Sequence, residues 1–264
     1  MNIIMATSRG RGLKEQLLKA NISAKVLVRP GHRYRALTQE AAEIIRASSE
    51  NPNNIHVYFL AGYTDLTNME KQGLYQEVTF RESPEEAESR LKSEIQHTTD
   101  VISQLGAKVC FATVVPGSII SWNQTRKNQR KTTHLKYEHL YNSWQDNLNK
   151  AVILINKTII QINISHNMHT PKTHECVMSI RKKGKYRFQF NKLSKDGVHP
   201  THQSLQHISR SLSKSITIDN VTPPVITLLQ QCSARNTPHL KLNLNWTPQR
   251  DIGNHTNHPS LSLD

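Results

Sequence analysis

The segment Asp196-Gly197-Val198-His199 places a carboxylate and an imidazole three residues apart, between Lys195 and Pro200. A carboxylate so placed can fix the tautomer of the ring and stabilise it once protonated, and the pair then lacks only a nucleophile. Ser8 is the candidate, at the other end of the chain, where the apolar run Asn2 to Ala6 passes into a helical pattern. Convergence of these three side chains would give acyl-transfer chemistry, which makes an acyl hydrolase the leading expectation. Plainer readings exist for each part, because Ser is a preferred helix cap and Asp-Gly a common turn pair. What separates the readings is whether the two ends of the chain share a pocket.

The elements that must position these residues are legible from periodicity. Asn2 to Ala6, Lys25 to Val28, Ile55 to Leu60 and Lys108 to Val115 read as buried strands, stopped in turn by Ser8, Pro30-Gly31, Ala61-Gly62 and Pro116-Gly117. Between them, Leu13, Leu17 and Leu18, then Leu37, Ala41, Ile44 and Ile45, recur with helical spacing. Ser83, Pro84 and Glu86 spell a capping box ahead of Leu91, Ile95, Ile102 and Leu105, with Gly106 as the stop. A long stripe from Leu140 through Trp144, Leu148, Ala151, Ile155 and Ile159 to Ile162 predicts a helix, against the competing reading of Val152 to Ile155 as a strand. Arg187 to Phe190 reads as a short strand or extended segment, and Leu205, Ile208 and Leu212 mark a last helix. Buried strands alternating with helices predict a three-layer α/β/α domain with a central parallel sheet, whose strand-end loops at Ser8, Gly31 and Gly62 share one edge.

Composition bounds the rest. The 264 residues allow one sizeable core, assigned to 1–215, followed by a polar, flexible tail over 216–264 with one short strand expected at Leu240 to Leu244. Cys110, Cys176 and Cys232 are too few and too scattered for a disulfide framework or a thiolate metal site, and they fit a reducing compartment. With no export signal and no apolar run of membrane-spanning length, the expectation is an intracellular protein of the cytoplasm or nucleus.

The strand-end residues also carry a resemblance. Ala6-Thr7-Ser8-Arg9-Gly10-Arg11-Gly12-Leu13, Arg29-Pro30-Gly31, Gly62-Tyr63-Thr64-Asp65 and Asp196-Gly197-Val198-His199 follow in order. Together, over roughly residues 1 to 215, they resemble the four blocks of the SGNH (GDSL-like) hydrolase superfamily, nearest to the esterase-like domains of retrotransposons and other mobile or viral elements. The resemblance implies an SGNH-type sheet of flavodoxin-like topology and a Ser8, His199, Asp196 triad acting on small O-acyl esters without metal or cofactor. It also implies an oxyanion hole from Ser8, Gly31 and position 64, with Gly62 and Asp65 supporting the pocket. Two positions depart from the pattern. Thr7 stands where an aspartate is usual, and Thr64 replaces the oxyanion-hole asparagine, so activity is expected to be low or confined to reactive esters.

A formal net charge of +14 supports a rival class, a catalytically weakened module that binds nucleic acid or serves a structural role. Its candidate contacts are Arg126, Lys127, Arg130 and Lys131, and Arg181, Lys182, Lys183, Lys185 and Arg187, the second group interleaved with Tyr186 and Phe188. Arg9 and Arg11 are candidate contacts for an anionic substrate. They do not make a phosphate loop, because the Lys-Ser/Thr ending is missing. His166, His169 and His174 match no metal spacing and are expected at the surface. Oligomeric state is not encoded in any of these features.

Overall fold

A computed structural model describes residues 1–72, 75–130, 136–181 and 185–221. The expected strand at Leu240 to Leu244 and the tail from residue 222 lie outside the described residues. In chain order the elements are β1 (Asn2–Ala6), α1 (Leu13–Lys19), β2 (Lys25–Val28), α2 (Tyr34–Arg46), β3 (His56–Leu60) and α3 (Tyr63–Leu66). They continue with β4 (Asn68–Gln72), β5 (Tyr75–Thr79), α4 (Pro84–Gln104), β6 (Lys108–Phe111), α5 (Ile119–Arg130), α6 (Tyr141–Ser165), β7 (Met178–Ile180), β8 (Tyr186–Phe188) and α7 (His202–Asn220).

The apolar strands form the expected parallel sheet in the order β2-β1-β3-β6. Alternation along each strand divides the core into two layers. Ile3, Met5, Val57, Phe59, Val109 and Phe111 pack against α2, α4 and α6, while Ile4, Ala6, Tyr58, Leu60 and Cys110 pack against α1 and α7. Both faces are therefore covered, as an all-parallel sheet requires.

Several local expectations are met in detail. Ser83 and Glu86 form the reciprocal capping box at the start of α4. The β-branched stretch from Val152 continues as helix inside α6, because its apolar stripe buries Ala151, Val152, Ile155 and Ile159. Leu18 is a correction, since it is 60 % exposed and leaves the buried face of α1 to Leu13 and Leu17. A second concerns the last helix, which runs to Asn220 with Ile216 buried and so passes the expected boundary at 215.

The edge strand β6 is finished by side chains. Asn163 of α6 accepts from the Phe111 N–H (3.0 Å) and donates to the Phe111 carbonyl (2.7 Å). Asn156 does the same for Val114 (2.6 and 3.1 Å). Seven residues apart on one helix face, the two amides take the place of a neighbouring strand.

Candidate active site

Parallel strands bring their C-terminal ends to one edge of the sheet, and a cavity of about 300 Å³ opens there. Ser8, Gly31, Thr64 and His199 line it together, although Ser8 and His199 stand at opposite ends of the folded chain. Trp122, Met69 and Val78 supply apolar wall.

Ser8 begins a single 3₁₀ turn directly after β1. Its N–H and that of Gly31 have no main-chain acceptor among the described residues, leaving two donors at the cavity. Gly62 has φ of +106°, and a Cβ there would lie 2.6 Å from Val114 Cγ2, so a glycine is needed where the chain turns from β3 into α3.

The acid and base are held in a tight loop. Asp196 Oδ2 meets His199 Nδ1 at 2.5 Å, while Oδ1 accepts from the Ser194 hydroxyl (2.6 Å) and the N–H groups of Val198 (2.9 Å) and His199 (3.0 Å). Burial raises the carboxyl pKa, but these hydrogen bonds outweigh it and hold the group at about 2. An ionised Asp196 can only accept, so Nδ1 donates to it and Nε2 is the ring nitrogen left to exchange a proton with substrate or nucleophile. Gly197 (φ +68°) lets the loop reverse, and its carbonyl accepts from Ser118 N–H (2.8 Å), which ties the loop to the start of α5. Trp122 packs beside His199 with ring centroids 6.2 Å apart. No hydrogen bond joins Ser8 to His199; such catalytic contacts often tighten only around substrate.

No family model and no curated protein matches the sequence. Solved structures do. A candidate acylhydrolase from Bacteroides fragilis superposes over 83% of this chain and 86% of its own, with a TM-score of 0.54 at 15% identity. A GDSL-like lipase from Bacteroides thetaiotaomicron covers 83% and 88% with a TM-score of 0.52 at 14% identity. A candidate lipolytic protein of the G-D-S-L family from Desulfitobacterium hafniense covers 81% and 98% with a TM-score of 0.50 at 10% identity. The chain has the fold of the SGNH hydrolases.

On this SGNH-type fold the remaining sequence candidates separate. Asp65 does not line the cavity. It is buried, and its Oδ1 accepts from the Tyr34 N–H (3.0 Å), tying α3 to the start of α2 and so bracing Gly31 against Gly62 to Thr64. Burial pushes its carboxyl up from 3.8 to about 6, and its second oxygen is unpartnered among the described residues. The folded chain therefore binds more protons than the unfolded chain between about pH 4 and 6, and this group's contribution to stability falls as pH rises through that window. Relative to the parent, Asp65→Asn is expected to gain about 2 kcal/mol on going from pH 4 to pH 8, measured by urea unfolding at both pH values.

Arg9 departs from the picture of an open substrate contact. It is 4 % exposed, its Nη1 donates to the Val115 and Pro116 carbonyls, and its guanidinium lies 4.1 Å above the Tyr63 ring. Arg11 is exposed at the cavity rim. The basic segments also divide. Arg126 stacks on Trp122 at 4.7 Å and lines the cavity, whereas Lys127 pairs with Glu138 at 3.0 Å. Arg181, Lys185 and Arg187 are exposed on or beside the β7–β8 hairpin. Lys131, Lys182, Lys183 and the side chain of Arg130 lie outside what is described.

The histidines need correction too. His166 is exposed, but His169 and His174 are half-buried and bonded to the hydroxyls of Ser215 (2.8 Å) and Thr113 (2.7 Å). Sequence reading missed Trp122 and Met69 as cavity wall, since both sit in segments whose polar composition hides their elements. No helix among the described residues is long and apolar enough to cross a membrane.

Proposed function

We propose that the chain is an esterase-type serine hydrolase acting on O-acyl esters. The observation that carries this reading is that His199, locked to Asp196 at 2.5 Å, lines the same cavity as Ser8. His199 Nε2 takes the Ser8 hydroxyl proton as Oγ attacks the ester carbonyl, and Asp196 stabilises the imidazolium that forms. The carbonyl π electrons move to oxygen, where the N–H groups of Ser8 and Gly31 and the Thr64 hydroxyl bind the charge. Collapse expels the alcohol, which leaves with the proton from His199, and a water activated by the same base releases the acid. The acylhydrolase and lipase descriptions of the fold neighbours agree with this chemistry. The order of the four blocks further supports kinship with the esterase-like domains of mobile elements.

Labelling tests the reading directly. A fluorophosphonate probe is expected to modify the unaltered protein at Ser8, confirmed by peptide mass spectrometry, and to leave His199→Ala untouched. Modification elsewhere, or none, would overturn the assignment.

Thr64 sets the expected rate. A hydroxyl reaches less far than an amide, and one well-placed oxyanion donor is worth about 3 kcal/mol or roughly 10²-fold in kcat. Thr64→Asn is thus expected to raise kcat for aryl acetates by about 10- to 100-fold with little change in KM, read by steady-state kinetics.

A further inference from the structure

The cavity wall carries three arginines that no carboxylate pairs with among the described residues. Arg9, Arg11 and Arg126 line it together with His199, and no Asp or Glu side chain does. Four arginines elsewhere are ion-paired, Arg29 with Glu40, Arg35 with Glu94, Arg81 with Glu70 and Arg90 with Glu82, and those without a partner among the described residues, such as Arg46, Arg181 and Arg187, are exposed to water rather than gathered in a cavity. Among the described residues, Arg9, Arg11 and Arg126 have no such partner.

Arg9 is the most telling of the three. Its guanidinium is buried against main-chain carbonyls and the Tyr63 ring, and its Nη2 has no hydrogen-bond partner among the described residues. Burial lowers its pKa only to about 10, so the charge persists at neutral pH. A desolvated cation with no ion-pair partner, helped only by the more distant charge of Asp196, is costly, and a ligand anion entering the cavity recovers part of that cost. Arg126 is held over the Trp122 face, which limits the conformations it must lose on gripping an anion, and Arg11 stands at the rim.

We propose that the substrate is an ester bearing a second, anionic group, a carboxylate or a phosphate, gripped by Arg126 and Arg11 in the field of Arg9. This deepens the hydrolase reading and rests on it for the ester, whereas the anion preference is measurable by binding alone.

The test uses the full chain carrying Ser8→Ala, which binds without turnover. It is titrated calorimetrically with 4-acetoxybenzoate, 4-acetoxyphenyl phosphate and neutral methyl 4-acetoxybenzoate. At low salt at least one anion is expected to bind about tenfold tighter than the neutral ester or better, with the preference shrinking as salt rises. The tighter of the two anions identifies the group. Adding Arg11→Gln and Arg126→Gln, both accessible side chains, is expected to abolish the preference, with thermal unfolding checking that the fold is intact. Should the double substitution disturb folding, Arg11→Gln alone is expected to reduce the preference at least threefold, on the order of 0.7 kcal/mol. Equal affinities, no measurable binding of either anion, or a preference that survives these substitutions would overturn the proposal. Loss of phosphonate labelling at Ser8 in the unaltered protein would instead count against the hydrolase reading, so the two failures are distinguishable.

Discussion

Ser8→Ala is expected to lower hydrolysis of a reactive aryl ester by about 10⁴-fold or more in kcat, and Asp196→Asn by about 10⁴-fold, with KM nearly unchanged in both. Ser8 contributes the attacking oxygen from the wall of the cavity that His199 also lines. Asp196→Asn acts through the imidazole. The ionised carboxylate accepts from His199 Nδ1 at 2.5 Å, whereas an amide can turn its NH₂ toward the ring and favour the tautomer with the proton on Nε2. The Ser8→Ala/Asp196→Asn double variant should be no slower than Ser8→Ala alone, because residues acting as a unit lose their effect together. Single-variant losses below tenfold would place the chemistry elsewhere.

The largest stability effect is expected at the amides of α6. Asn163→Ala strips partners from both the N–H and the carbonyl of Phe111, and Asn156→Ala does the same at Val114. All four residues are buried, and each stranded polar group costs roughly 1–3 kcal/mol, so either substitution should destabilise the chain by about 3–5 kcal/mol. Urea unfolding measures this as a lowered midpoint at constant m value. A loss under about 1 kcal/mol would mean that water replaces the amides at little cost.

The contrast between these sites explains what was readable in advance. The parallel core was legible because Ile3 to Ala6, Val57 to Leu60 and Val109 to Phe111 are apolar on both faces, a pattern with few alternatives at that length. The shared edge of the loops at Ser8, Gly31 and Gly62 followed from right-handed crossovers once the strands were identified, whereas His199 was expected beside them only from the resemblance of the four blocks. The β4–β5 hairpin was missed because Asn68–Gln72 and Tyr75–Thr79 are largely polar and cover only part of the core. Helix α5 was hidden for a related reason: past Trp122 and Asn123 its sequence turns polar and basic, and Asn123 is buried by bonding Val78 rather than by any apolar stripe. Nor could periodicity reveal a buried Arg9, since arginine is ordinarily a surface residue and its burial here depends on carbonyls 106 and 107 positions away. The roles of Asp65, Asn156 and Asn163 were equally invisible, because a polar side chain bonded to backbone leaves no period in the sequence.

Closing β6 with amides has a consequence for how copies of this chain meet. A strand arriving from another molecule finds the Phe111 and Val114 main-chain groups already engaged, so the sheet cannot grow on that side. The opposite margin, β2, is half-exposed, but it begins with the charged Lys25 and is followed by Pro30, which lacks an N–H to offer. The central sheet is thereby guarded against edge-to-edge growth by two helix-borne asparagines at one margin and by a lysine and a proline at the other.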